Sequence, residues 1–170
     1  MNFKIYTIIA ALALPMAASA QNTERKLCDF ESADAYRSIK VYDTWGNSPF
    51  RNNSVEGNIQ VVQNHLNDAD PVRGFVPNPS RHILAVQRSR FGSNTFGALV
   101  GLKEPFAQTK TVQYVHVKIY SPKGGPAMLI GLGNRDDRPH QSPLTEQFWA
   151  TASQPLVANH WNDAVFAVSG

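Results

Sequence analysis

The sequence predicts an all-β domain, folded as an antiparallel sandwich or barrel. Three observations carry that prediction. Beyond the first twenty residues, no stretch of twelve shows apolar residues at helical spacing free of Gly or Pro. Short runs rich in Val, Ile, Leu and aromatics are instead separated by turn residues, the rhythm of a sandwich or barrel. The clearest run, TVQYVHVKIY at 111–120, alternates with period two. In extended backbone Val115, Val117 and Ile119 point one way, and Tyr114, His116, Lys118 and Tyr120 the other.

The predicted strands follow in chain order. Residues 26–31 and 36–43 come first, and Asn52-Asn53-Ser54 separates them from 58–64. Asn67-Asp68-Ala69-Asp70-Pro71 and Pro77-Asn78-Pro79 punctuate the chain before 82–88. Strands at 95–102 and 112–120 follow. The turn Ser121-Pro122-Lys123-Gly124-Gly125-Pro126 joins 112–120 to 127–133 and predicts that these two pair as a hairpin. Residues 134–160 form a long irregular segment of a kind that is often functional, with Glu146-Gln147-Phe148-Trp149-Ala150 a weaker strand inside it. The last strand is 163–168, two residues before Gly170. An ending there fits a docked final strand, and equally a domain truncated before a further C-terminal strand or module.

Residues 1–20 have the order of a secretory signal peptide: Lys4, an apolar run, then Ala18-Ser19-Ala20 as a small-residue cleavage site. The run is short for a membrane span. Cys28 lacks the small preceding residues of a lipoprotein signal. An exported protein without a membrane span is expected, in the periplasm, at the cell surface or outside the cell. Residues 21–170 make one domain by length. A chain of about 150 residues buries roughly two thirds of its unfolded surface, enough for a core without staples. A single cysteine makes no internal disulfide. Cleavage leaves 15 Lys and Arg against 13 Asp and Glu, and the basic residues are scattered, so no nucleic-acid partner is expected.

Four stretches carry a family likeness. They are Cys28-Asp29-Phe30-Glu31, Asn78-Pro79-Ser80 leading into His82-Ile83-Leu84-Ala85-Val86, Tyr114 to Pro122, and Trp161-Asn162-Asp163-Ala164-Val165-Phe166. Their succession resembles the galactose-binding-like, carbohydrate-binding-module β-sandwiches of secreted bacterial glycan-degrading proteins. The resemblance implies a two-sheet jelly roll and glycan binding. It supplies no catalytic residue, and fold analogy alone is a weak warrant for function.

The residues themselves argue against most chemistry. No G-x-S-x-G elbow is present. Cys28, beside Phe30, reads as a small apolar packing residue. The five glutamates are isolated from the facing carboxylate pairs that glycoside hydrolysis needs, and Asp29 with Glu31 lies at the chain start, where a structural role is expected. The five histidines lie far apart, without H-x-H or H-E-x-x-H, although His82 and His116 could meet across strands. Calcium wants about six to eight oxygen ligands. Glu31 near the start and Asp163 near the end could share such an ion if the first and last strands adjoin, as the resembled modules often arrange. Asn67-Asp68-Ala69-Asp70 and Arg135-Asp136-Asp137-Arg138 are rival oxygen clusters that read first as ordinary solvated turns.

A sugar ring lays its C–H face on an aromatic plane while its hydroxyls take polar partners. Trp45, in Asp43-Thr44-Trp45-Gly46-Asn47, and Trp149 are the platform candidates. Trp161 is expected in the core. The row Tyr114, His116, Lys118 and Tyr120 joins two rings to a cation and an imidazole. It reads as a glycan-binding strip, as a solvated outer face, or as a face covered by another module. The expected function is a non-catalytic carbohydrate-binding module. The alternatives are a polysaccharide lyase or hydrolase of the same fold, with Tyr114, His116 and Lys118 nearest to a lyase set, and a structural or adhesive interaction domain.

Overall fold

β-Branched and aromatic side chains favour extended backbone where a pleated, half-buried surface receives them. The structure, a computed structural model, describes residues 24–43, 57–66, 78–88, 96–133 and 145–170. Eight strands lie within the described residues: β1 (Tyr36–Asp43), β2 (Gly57–Gln63), β3 (His82–Arg88), β4 (Phe96–Leu102), β5 (Gln113–Tyr120), β6 (Met128–Gly133), β7 (Thr145–Thr151) and β8 (Trp161–Val168). A single 3-10 turn, Ala33–Ala35, precedes β1. No helix among the described residues is long and apolar enough to cross a membrane.

Every ladder is antiparallel: β1 with β4, β2 with β3, β5 with β8, and β6 with β7. Each half of the chain thus closes on itself, an inner pair nested within an outer one. β1 also approaches β2, β3 approaches β4, and β7 approaches β8. The protein is all-β and antiparallel, as the alternation predicts. Two nested four-strand units are compatible with a jelly roll, which combines two Greek keys.

Two local expectations fail for physical reasons. Residues 26–31 form no strand, because the Asp29 carboxylate accepts the Glu31 N–H at 3.1 Å and turns the chain, with Phe30 at φ 60°. The weaker strand expected at 146–150 does form, as β7. Nor do β5 and β6 form a hairpin. Gly124 (φ 66°) and Gly125 (φ 98°) turn the chain out of the β5 sheet, and Gly125 then bridges Leu156 rather than starting a ladder beside β5. A Cβ on Gly124 would lie 2.5 Å from the Leu156 carbonyl oxygen, so glycine is required twice over, by conformation and by space.

That crossing lets the apolar faces of the two C-terminal ribbons meet across a core. Register puts Val115 opposite Phe166 and Val117 opposite Ala164 on one ribbon, and Leu129 opposite Ala150 on the other. Ala150, Ala164, Phe166 and Val168 are buried together, with Val115, Val117, Ile119, Leu129 and Phe148 packed against them. The Phe148 ring lies over Gly131, where a Cβ would meet ring carbon at 2.1 Å. Gly131→Ala is therefore expected to cost about 1–3 kcal/mol through overpacking, read as a lowered urea midpoint. An unchanged midpoint would show that the ring yields freely.

One side chain ties the loop at 152–160 to this unit. Asn162 Oδ1 accepts the Val157 N–H at 2.8 Å, and its Nδ2 donates to the carbonyls of His160 (2.9 Å), Val157 (3.0 Å) and Ile119 (3.3 Å).

Candidate functional site

Alternation that sends Val115, Val117 and Ile119 inward sends Tyr114, His116, Lys118 and Tyr120 outward. Register brings their partners on β8 to the same face: Ala167, Val165, Asp163 and Trp161. The row is open at one end and closed at the other. Tyr114 is 67% exposed. Tyr120 is half-buried, edge-on to Trp161 with ring centroids 5.8 Å apart. Trp161 is buried as expected, and its indole N–H donates to the Leu66 carbonyl. Tyr120 therefore packs against a buried ring rather than offering an open stacking surface.

Between these ends lies a charged cluster. His116 Nδ1 is 2.8 Å from Asp163 Oδ2, and Lys118 Nζ is 3.6 Å from Asp163 Oδ1. A carboxylate only accepts, so the His116 ring donates through Nδ1 and its Nε2 remains for a ligand. The exposed Tyr114 ring thus lies two residues along the same face from His116, with the shared Asp163 carboxylate farther along it. Such a face suits stacking flanked by hydrogen bonds, and a base oriented by an acid.

Trp149 is half exposed on a different surface. It pairs with Ile130 on the outer face of β6 and β7, near the exposed Met128, while its neighbours Phe148 and Ala150 face the core. Trp149 and Tyr114 consequently face away from opposite sides of one core and do not line one concavity. Trp45 lies outside the described residues, as do residues 1–20 and both rival oxygen clusters.

Glu31 and Asp163, expected to share a calcium ion, are each paired with a histidine on a separate ladder. Glu31 Oε2 is 3.2 Å from His82 Nδ1, and its Oε1 accepts the Arg81 N–H at 2.6 Å. Asp163 takes His116 and Lys118. His82 sits on β3 and His116 on β5, so those two rings do not meet across a ladder. Among the described residues, no group of three or more His, Cys, Asp or Glu side chains is gathered for a metal.

Burial pushes the Cys28 thiol up, against weaker backbone hydrogen bonds, so the thiolate is disfavoured. Desolvation also pushes the Glu31 carboxyl up, but hydrogen bonds from the His82 ring and from the Arg81 and His82 amides outweigh it. The net effect holds Glu31 below its ordinary value of 4.5. A carboxyl that ionises more easily in the folded state stabilises the fold above its unfolded pKa, and that contribution is lost as pH falls through the folded value. Stability is thus expected to decline on acidification below about pH 4.5. Glu31→Gln should flatten the acid limb of a plot of Tm against pH. An acid limb identical to wild type would refute the linkage.

The structure also shows a concavity that residue patterns alone do not reveal. Gln63, Asn64, Pro79, Ser80, Arg81 and His82 line an open concavity of about 460 Å³ where β2 ends and β3 begins. Asn64 is its keystone: Nδ2 donates to the carbonyls of Ser80 (2.9 Å) and Asn78 (3.2 Å), and Oδ1 accepts the Leu66 N–H (2.9 Å). The Asn78-Pro79-Ser80 turn was the visible signal. The buried Asn78 fixes it by accepting the Ser80 N–H at 3.2 Å. No protein-family model matches the chain, and no curated protein or solved structure matches it significantly.

Proposed function

We propose that this protein is an exported, non-catalytic carbohydrate-binding domain whose glycan lies on the outer face of β5 and β8. The observation that carries the reading is Tyr114: a tyrosine 67% exposed on a strand, with fixed polar groups two and four residues along the same face. An exposed ring on a sheet is costly to leave in water and useful against the C–H face of a sugar. His116, Lys118 and Asp163 supply the hydrogen-bonding edge. The ladder behind them is locked to the core through Val115 and Val117, so little order is lost on binding.

The test is a glycan array probed with the chain lacking residues 1–20, beside its Tyr114→Ala variant. Wild type should retain one class of glycan, and the variant should lose most of that signal while unfolding at the same temperature. Retention unchanged in the variant would exclude the Tyr114 face as the site.

The 2.8 Å His116–Asp163 contact favours one second reading, a polysaccharide lyase. There Asp163 would orient His116 as a base, beside Tyr114, and Lys118 would neutralise a uronate. Incubation with uronate polymers decides between the two, because β-elimination leaves an unsaturated product that absorbs in the ultraviolet. The binding reading predicts none.

A further inference from the structure

We infer that the concavity at the junction of β2 and β3 is a second ligand site, one that takes a carboxylate-bearing sugar through Arg81. It goes beyond the Tyr114 face, since it is built from the other half of the chain. Its volume of about 460 Å³ falls among ligand pockets, which run roughly 300–1,000 Å³.

The backbone around Arg81 is held from three sides. The Arg81 N–H is taken by Glu31 at 2.6 Å, its carbonyl accepts the Asn64 N–H at 2.7 Å, and the preceding Ser80 carbonyl is taken by the Asn64 amide at 2.9 Å. None of these bonds uses the guanidinium. Arg81 is exposed, and among the described residues its guanidinium has no ion-pair partner. The backbone that carries this cation is fixed beside a concavity, and Arg matches a carboxylate with two parallel hydrogen bonds. The remaining described lining is the amides of Gln63 and Asn64, the hydroxyl of Ser80, the imidazole of His82 and the ring of Pro79. One cation among amides and a hydroxyl suits a ligand with one carboxylate and many hydroxyls, which is a uronate residue. Glu31 is turned to the Arg81 amide and His82 Nδ1, so its charge is already partnered.

The cleft also adjoins the closed end of the β5–β8 face. Leu66, whose carbonyl receives the Trp161 indole N–H, is two residues beyond Asn64, and its own N–H is held by the Asn64 side chain.

The probe is trigalacturonate, with its methyl ester as the uncharged counterpart, titrated calorimetrically into the chain lacking residues 1–20. The acid should bind, and the ester should bind about 10- to 100-fold more weakly, the range expected for a hydrogen-bonded charge. Arg81→Gln should weaken the acid by a similar factor and leave thermal stability unchanged, because only the exposed end of the side chain is altered. Tyr114→Ala should leave this affinity intact. No binding of the acid, equal binding of acid and ester, or full affinity in Arg81→Gln would each overturn the site. Loss in Tyr114→Ala with full affinity in Arg81→Gln would assign the uronate to the outer face, overturning this site while sparing the glycan-binding reading.

Discussion

Replacing Phe166 with alanine is expected to lower stability by about 3–5 kcal/mol, the largest effect of any single change considered. Phe166 is 1% exposed and, among the described residues, the largest fully buried side chain. It faces Val115 across the β5–β8 ladder and lies in the cluster with Ala150, Ala164 and Val168. The small neighbours Ala150 and Ala164 have no side-chain length with which to fill the void, so relaxation recovers little. Domains of this kind are stable by about 5–15 kcal/mol in total. The variant should therefore unfold at a much lower urea concentration, with a substantial unfolded fraction at 37 °C. A loss under about 1 kcal/mol would mean that the two ribbons do not share one dry core.

Asn162→Ala comes next, with an expected loss of about 2–3 kcal/mol. The amide makes four hydrogen bonds, three to loop carbonyls and amides at 157 and 160 and one to the Ile119 carbonyl on β5. Truncation strands those backbone groups, two of them half-buried, and the penalty of an unsatisfied buried group exceeds the gain from a typical hydrogen bond. Asn162→Asp is the informative companion: Oδ1 still accepts the Val157 N–H, but the donor to three carbonyls is gone. Hydrogen exchange should accelerate at the Val157 and Asn159 amides in the alanine variant. In the aspartate variant it should accelerate at Asn159, whose amide donates to the Ser121 carbonyl, with Val157 still protected. Unchanged exchange in both variants would show that the loop is held by other means.

Strands with strict alternation were legible in the sequence. Residues 113–120 show why: period two separates Val115, Val117 and Ile119 from a polar row, and no helix satisfies that separation. β1 and β3 have the predicted bounds, 36–43 and 82–88, although β3 carries a continuous apolar run rather than alternation. Pairing was not. The Ser121–Pro126 turn reads as a hairpin because composition reports a reversal but not the plane in which it occurs. Only the bridge between Gly125 and Leu156 shows the chain leaving one ribbon for the facing one. Residues 26–31 misled because Phe30 and Cys28 look like strand residues, while the Asp29 side chain competes for the backbone.

The candidate site divides in the same way. That Tyr114, His116 and Lys118 share a face follows from spacing along one strand. That Asp163 joins them follows from register across 47 residues, which no local pattern contains. The two carboxylates singled out for calcium, Glu31 and Asp163, are the partners of the two histidines considered for zinc, His82 and His116. Residue type marked all four as polar anchors, and geometry decided how they combine. Tyr120 looked equivalent to Tyr114 until Trp161 arrived beside it from the facing strand. The concavity at Arg81 depends on Asn64 reaching the carbonyls of Asn78 and Ser80, contacts 14 and 16 residues away in the chain.

Amide chemical-shift mapping tests the central claim most directly. The isotope-labelled chain lacking residues 1–20 would be titrated with the glycan it retains on an array. Shifts should concentrate at Tyr114, His116, Lys118, Asp163 and Ala167, with β6 and β7 silent. Shifts centred on Met128, Ile130 and Trp149, or the lack of any specific glycan response, would rule out a glycan site on the Tyr114 face.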